Sequence, residues 1–326
     1  MASYLLTGVA GFIAYRVAEL LLGDGHIVYG VDNLNQAYDV RLKDYRLERL
    51  KTHPNFHFKK MDISERSTLD DLAEWMPEDI AGVINLAARA GVRTSLTDPW
   101  VYVETNMTGT LNLLEYCRRC GIKKFILAST SSLYAEESPP PFQETDDTDH
   151  PLQPYAASKK GAEAMAHAYH HLYEIDVTVL RYFTVYGPAG RPDMVMFRFC
   201  QWIAEGKPVI INGDGEQSRG FTYLDDIARG TIQALKPVGF AVINLGGHEV
   251  ITINQLITML EQRIGKKAQV EHHSFHKADV RTNKADTTRA NQILGWEPQV
   301  NLEVGVTRLV DWYMQERAWA SQIETP

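Results

Sequence analysis

The chain has 326 residues, 44% of them hydrophobic and 23% charged, enough for one large domain or two unequal ones with a real core. Its formal net charge is −8 and no polybasic run stands out, which argues against nucleic acid or an acidic membrane as partner. No apolar stretch is long enough to span a bilayer, and "SYLLTGVAGF" is too short and glycine-broken for a signal peptide, so a cytoplasmic protein is expected.

The first half alternates short apolar runs with helical stretches. "SYLLT", "HIVYGVD", "NFHFKKMD", "AGVINLAA" and "KKFILAST" read as strands, separated by helices over Phe12–Leu22, Leu42–Leu50, Leu69–Trp75 and Trp100–Cys117. A long helix from Tyr155 to Tyr173 leads into the strand "DVTVLRYF". This alternation means βαβ units, and so an α/β protein with a Rossmann-type, doubly wound parallel sheet. After residue 185 the pattern loosens into the loops "GPAGRPDM" and "INGDGEQSRGF". Helices over Met194–Glu205, Ile253–Ile264, Asp286–Leu294 and Leu302–Arg317 then predict a smaller, mainly helical domain. "AVINLGG" reads as one further strand of the first domain. The expected division is therefore 1–184 plus about 222–248 for the dinucleotide, and about 185–221 plus 249–326 for the substrate.

"YLLTGVAGFIAYRVAELLL" places Gly8, Gly11 and Ala14 between the first strand and a helix that opens on Phe12 and Ile13. The chain must turn at Gly8, let its backbone approach a phosphate near Gly11, and aim helical N–H groups at a pyrophosphate. Asp32 ends the second strand, followed by Asn33. A carboxylate there accepts from ribose hydroxyls and repels a 2′-phosphate, favouring NAD over NADP; a strand-end turn is the alternative role. Asp62 and Ile63 close the third strand where an adenine would lie, and Leu86, Ala87 and Ala88 of "NLAARAG" let a cofactor pass close to the fourth.

The fifth strand ends in four hydroxyl side chains, Ser129, Thr130, Ser131 and Ser132, with Tyr134 beyond. Such a run either caps backbone groups at a strand end or holds an anion with neutral donors. "QPYAASKK" then sets Tyr155 and Lys159 one helical turn apart on one face. A tyrosine with a pKa near ~10 becomes a base at neutral pH only if nearby positive charge favours its phenolate. A plain helix-surface pair is the alternative. Cys117 and Cys120 lie on a helix and suit packing, and the histidines of "AHAYHHLYE" and "EHHSFH" lack partners that would close a metal site, so no metal is expected.

These motifs together resemble the extended short-chain dehydrogenase/reductase family of nucleotide-sugar enzymes. More narrowly, "VDNLNQAYDVRLKDYRLERL", "NLAARAGVRTSLTDPWVYVETNMTGTLNLLE" and "RYFTVYGPAGRPDMVMFRF" are similar to UDP-glucuronate 4-epimerases, and the similarity is weakest after residue 270. The resemblance implies a catalytic set of Thr130, Tyr155 and Lys159, working on NAD. It also implies a pocket for a sugar C5 carboxylate made by Thr130, Ser131, Ser132, Thr184 and Arg191, with Arg93, Asn106, Arg219 and Asp279 as further substrate contacts. Arg281 is either a phosphate contact or a solvated loop charge. Related dehydratases carry Asp-Glu where Ser131 and Ser132 stand, and related decarboxylases carry a glutamate at position 132, so elimination and decarboxylation are disfavoured. Two departures from the family pattern stand at Ala135 and Gly220, where glycine and aspartate are usual. The family pairs subunits through helices at 98–119 and 155–174, so a homodimer is expected, with Leu111, Leu114, Met165 and Ala168 as the apolar surplus. The resemblance leaves three other readings: a 4-epimerase of a neutral UDP-sugar, UDP-glucose or UDP-N-acetylglucosamine; a UDP-glucuronate decarboxylase; and an NAD-binding protein without chemistry.

Overall fold

The computed structural model describes residues 1–134, 138–274 and 282–326. The first half builds β1 (Ser3–Thr7), α1 (Phe12–Gly23), β2 (Ile27–Asp32), α2 (Arg41–Lys51), β3 (Phe56–Lys60), α3 (Thr68–Trp75) and β4 (Ile80–Asn85). A short helix α4 (Trp100–Tyr102) passes through a π-helical turn, Val103–Thr108, into α5 (Gly109–Cys120). β5 (Lys124–Thr130), α6 (Pro154–Tyr173) and β6 (Asp176–Tyr182) follow. Then come β7 (Thr184–Tyr186), α7 (Val195–Glu205), β8 (Pro208–Asn212), β9 (Ser218–Tyr223), α8 (Leu224–Gln233) and β10 (Phe240–Leu245). The last part holds β11 (Val250–Thr252), α9 (Ile253–Ile264), β12 (Gln269–His273), β13 (Thr282–Asn283), α10 (Thr288–Leu294), α11 (Leu302–Gln315) and α12 (Arg317–Ala320).

Seven strands make one parallel sheet in the order β10-β6-β5-β4-β1-β2-β3, so "AVINLGG" does join the first lobe. Strand order reverses between β1 and β4, and an open α/β sheet binds ligands at the crevice beyond such a reversal. Side chains stitch that crevice: Thr7 Oγ1 donates to Asn85 Oδ1 at 2.8 Å and accepts from the Ala87 amide at 3.1 Å. Every residue of β5 is buried, as a central parallel strand covered on both faces requires.

Two cores flank the sheet. Val17, Leu21, Leu47, Leu50, Ile227, Ala228 and Leu294 pack on one face, and Leu72, Leu113, Leu114, Cys117, Ala162 and Ala166 on the other. A third core, with Phe197, Trp202, Leu256, Leu309 and Tyr313, fills the smaller lobe. That lobe carries the helices α7, α9 and α11. It also holds a sheet in which β9 pairs with β7, β11 and β13, and a parallel pair of β8 with β12. Several of these strands have two or three residues, too few to show a period-two pattern. Ala290 and Leu294 of α10, with Trp296, pack into the same sheet-facing core as Val17 and Leu21.

Candidate active site

The glycine loop is shaped by contact rather than by composition. Gly8 has φ +69°, and a Cβ there would lie 2.8 Å from the Cα and N of Ala87. The Gly11 amide closes the turn on the Gly8 carbonyl at 2.7 Å, and α1 starts at Phe12 with no side chain capping its N-terminus. Its first N–H groups are thus left to an anion. Asp32 accepts from the Ala10 amide at 3.2 Å through Oδ2 and from the Leu34 amide at 2.8 Å through Oδ1. Each oxygen keeps a lone pair for a ribose hydroxyl. Asn33 donates to Asp62 at 2.8 Å; burial pushes the Asp62 carboxyl up, but hydrogen bonds from Asn33 and Ser64 outweigh it and hold the group below its usual value. A loop, an uncapped helix end and an oriented carboxylate along one crevice fit a dinucleotide.

One continuous cleft runs from this loop to the C-terminal ends of β5 and β6. Gly8, Gly11, Phe12, Ile13, Asp32, Asn33, Asp62, Ile63, Leu86, Ala87 and Ala88 line it, and so do Thr130, Ser131, Ser132, Tyr155, Lys159, Thr184 and Arg191. The hydroxyl run of β5 divides. Ser129 turns back and donates to Glu163 at 2.5 Å, where Glu163 is clasped by the buried Arg181. Thr130 Oγ1 accepts from the Ser132 amide at 3.1 Å and donates to Ser132 Oγ at 3.2 Å, and it acts on the Tyr155 phenol in the direction of a lower pKa. The capping role and the site role of these hydroxyls therefore coexist.

Burial pushes the Tyr155 phenol above its ordinary value; the Thr130 hydrogen bond and the charge of Arg191 pull it down without overcoming burial, and Tyr102 adds to the rise. Lys159 is held on the strand it faces. Its Nζ donates to the Ala128 carbonyl at 2.8 Å, and burial lowers its ammonium to about 8, with Glu163 acting in the opposite sense. Arg191 is the cation that acts on the Tyr155 phenol, and Lys159 is anchored on β5.

Three expected substrate contacts lie outside the cleft lining. Asn106 is buried in the π-helical turn with its amide committed: it accepts from the Arg89 amide at 2.8 Å and donates to the Arg89 carbonyl at 3.0 Å and to Ser158 at 2.9 Å. It ties the π-helical turn to the segment after β4 and to α6. Arg93 is exposed at the start of the turn Thr94–Leu96, and Arg219, on β9, donates to the Ser218 carbonyl at 2.8 Å. Asp279, Arg281 and Ala135 lie outside the described residues.

The structure adds residues that the sequence reading missed. Lys43 of α2 is buried 3.6 Å from Asp32 and lines the cleft beside Asn35 and Tyr38. A lysine next to Leu42 on a helix whose apolar face is Leu42, Leu47 and Leu50 was the available signal. Arg46, fully buried, donates to the Ala10 carbonyl at 2.9 Å and to Ala189 at 2.7 Å, tying the glycine loop to the loop that carries Arg191. Asn283, from a two-residue strand, lines the cleft next to Ser131.

A dinucleotide crevice and a tyrosine–lysine helix on one parallel sheet define a short-chain dehydrogenase/reductase of the extended type. Residues 5–309 match the family model described as GDP-mannose 4,6 dehydratase, and the chain belongs to that family. It is 58% identical over 313 residues to the UDP-glucuronate 4-epimerase of Thermodesulfobacterium geofontis, covering 96% of each chain. Its structure superimposes with a TM-score of 0.90 on the UDP-glucuronic acid 4-epimerase of Bacillus cereus in complex with UDP-glucuronic acid and NAD, at 37% identity, covering 96% of this chain and 99% of that one. A UDP-glucose 4-epimerase with UDP-glucose from Thermotoga maritima follows at 0.88 and 33% identity, covering 97% and 99%.

Proposed function

We propose that the chain is an NAD-dependent 4-epimerase that interconverts UDP-glucuronate and UDP-galacturonate. The observation that carries this reading is a single cluster: Thr130, Ser131, Ser132, Thr184 and Arg191 line the cleft in which Tyr155 lies. Neutral hydroxyls and a guanidinium are the groups that hold a carboxylate as an anion. The relatives named above act on or bind UDP-sugars, and the Bacillus cereus enzyme binds NAD as well, which supports the same assignment.

The chemistry follows from the placement. Tyr155 takes the proton of the sugar C4 hydroxyl, with Thr130 sharing the hydrogen bond, and returns it after the sugar has turned. NAD, when bound, supplies the hydride acceptor and donor and a positive charge beside the phenol. Lys159 holds the end of β5, and its ammonium suits a ribose hydroxyl. A C4 ketone next to a C5 carboxylate is a β-keto acid, which loses CO₂ when the carboxylate bond lies along the carbonyl π system. Fixing the carboxylate out of that alignment keeps the carbon skeleton intact. Among the described residues, the cleft carboxylate nearest this end is Asp193, which is committed to Arg191, so none of them offers a free acid–base pair for elimination.

Arg219 and Asp279 are proposed for the UDP moiety, and the adenosine end is assigned to Asp32, Asn33, Asp62 and Ile63. A second reading, epimerisation of a neutral UDP-sugar, draws on one observation: Asp193 already neutralises Arg191. The working unit is proposed to be a homodimer through α4–α5 and α6. Leu114 is buried in the core and Leu111 and Met165 pack against it, so the surplus apolar surface lies elsewhere, at Trp100, 72% exposed, and Val103, Leu172 and Tyr173. Light scattering at micromolar concentration tests this, a dimer mass being expected. Cys117, Cys120 and Cys200 are free thiols, which suits the reducing cytoplasm proposed as its compartment. Incubation with NAD⁺ and a panel of UDP-sugars, followed by NMR of the sugar product, tests the activity: conversion of UDP-glucuronate to UDP-galacturonate is expected, and release of UDP-xylose contradicts it.

A further inference from the structure

Ser131 is not free to choose which way its hydroxyl points. Asn283 Nδ2 donates to Ser131 Oγ at 3.1 Å across the cleft wall. A serine hydroxyl has one proton and two lone pairs; with a lone pair taken by the amide, its own proton is turned away from Asn283. No bond from that hydroxyl to another described residue competes for the proton, and both residues line the cleft. Asn283 is held in place by the parallel register of β13 on β9, where it stands opposite Arg219. A second observation points the same way. Asn283 Oδ1 is buried and makes no hydrogen bond among the described residues. A buried acceptor left unmade is costly, so the amide is not kept for its own satisfaction.

We propose that Asn283 is a positioning residue for acid recognition: by donating to Ser131 it directs that serine's proton into the cleft, towards the C5 carboxylate of a hexuronic acid. The proposal rests on the UDP-glucuronate reading above and deepens it. An amide is required because a carboxylate in its place accepts the Ser131 proton, reverses the hydroxyl and adds a like charge to the pocket.

The test is calorimetric binding of UDP-glucuronate and of UDP-glucose to the NAD-loaded protein, for wild type, Ser131→Ala, Asn283→Ala, the double variant and the near-isosteric Asn283→Asp, each checked by melting temperature. Each single alanine variant is expected to weaken UDP-glucuronate about tenfold, the worth of a hydrogen bond to a charged group, and to change UDP-glucose less than about twofold. Because Asn283 acts through Ser131, the double variant is expected to be no worse than Ser131→Ala alone. Asn283→Asp is expected to weaken the acid sugar further, about a hundredfold, while sparing the neutral one. Multiplying losses in the double variant, or equal losses for both sugars, overturn the proposal while the wild-type preference for the acid stands. A wild type that binds UDP-glucuronate no better than UDP-glucose overturns the substrate reading itself, and this inference with it.

Discussion

Arg191 is gripped inside the cleft by the aspartate two residues further on: Nε reaches Asp193 Oδ1 at 3.0 Å and one terminal nitrogen reaches Oδ2 at 2.6 Å. The same guanidinium stands over the Tyr38 ring at 5.8 Å and reaches the Ala90 carbonyl at 3.4 Å. A substrate carboxylate therefore meets a preformed fork whose charge is partly spent. Truncating one side of such a pair costs about 2–5 kcal/mol in binding or transition-state terms. Arg191→Ala is expected to lower kcat/KM for UDP-glucuronate by roughly 10²–10³-fold, and for a neutral UDP-sugar by only a few-fold. Asp193→Asn frees the fork and is expected to lower KM for the acid sugar. Steady-state kinetics on both sugars check this, and equal losses on both count against an acid-reading Arg191.

Tyr155 is proposed to carry the proton and Thr130 to share its hydrogen bond, so their losses should differ in kind. Tyr155→Phe removes the proton carrier and is expected to lower kcat by at least about 10³-fold while leaving the affinity for NAD and UDP-sugar near wild type. Thr130→Ala removes one shared hydrogen bond, and a loss of about 10–100-fold in kcat is expected. Single-turnover reduction of NAD⁺, followed by absorbance, separates the chemical step from binding.

Lys159 makes a prediction about stability that runs against its importance. Its ammonium titrates at about 8 in the folded chain against 10.5 ordinarily, because burial disfavours the charge. The unfolded chain then binds the proton more tightly between pH 8 and 10.5, so the lysine is a burden of roughly 3 kcal/mol at pH 7 that fades as pH rises towards 10.5. Lys159→Met gives up the bond to the Ala128 carbonyl, worth about 1 kcal/mol, and is still expected to melt no lower than wild type at pH 7 while being inactive. Its advantage should shrink or vanish by pH 10. A variant that melts well below wild type at pH 7 contradicts this reading of the site.

Gly220 stands where relatives are expected to carry aspartate, and its surroundings account for the difference. A Cβ there would lie 3.2 Å from the Gly247 carbonyl oxygen and 3.3 Å from that of Asn283, tighter than ordinary contact with backbone that cannot easily move. Gly220→Asp is expected to lower stability by about 1–3 kcal/mol through overpacking of β9 between β11 and β13. Because the same strand pairs Arg219 with Asn283, KM for UDP-glucuronate should rise with it. Chemical denaturation and kinetics on one preparation check both.

The dinucleotide half was legible because its signals are local. A glycine turn, a helix start and a strand-end carboxylate are adjacent in sequence and need no knowledge of what lies opposite. Tyr155 and Lys159 were legible for the same reason, though their partners were not: the lysine's bond to Ala128 and the phenol's proximity to Arg191 arise only once β5, α6 and the loop after β7 converge. The partners of Asn106 were not legible, because a buried amide in a π-helical turn and an amide facing a ligand look alike in sequence. Lys43 and Arg46 escaped notice because a polar residue on a patterned helix reads as solvent-facing, and Asn283 because its strand is two residues long; tertiary packing brings all three inward.

The most direct measurement is NMR of the sugar released when the NAD-loaded protein turns over UDP-glucuronate labelled with ¹³C at the carboxyl carbon. The account expects the label to stay in a hexuronic acid, with the axial C4 hydroxyl of UDP-galacturonate growing to equilibrium. Labelled CO₂ accompanied by a UDP-pentose, or unchanged UDP-glucuronate beside brisk turnover of UDP-glucose, would contradict it.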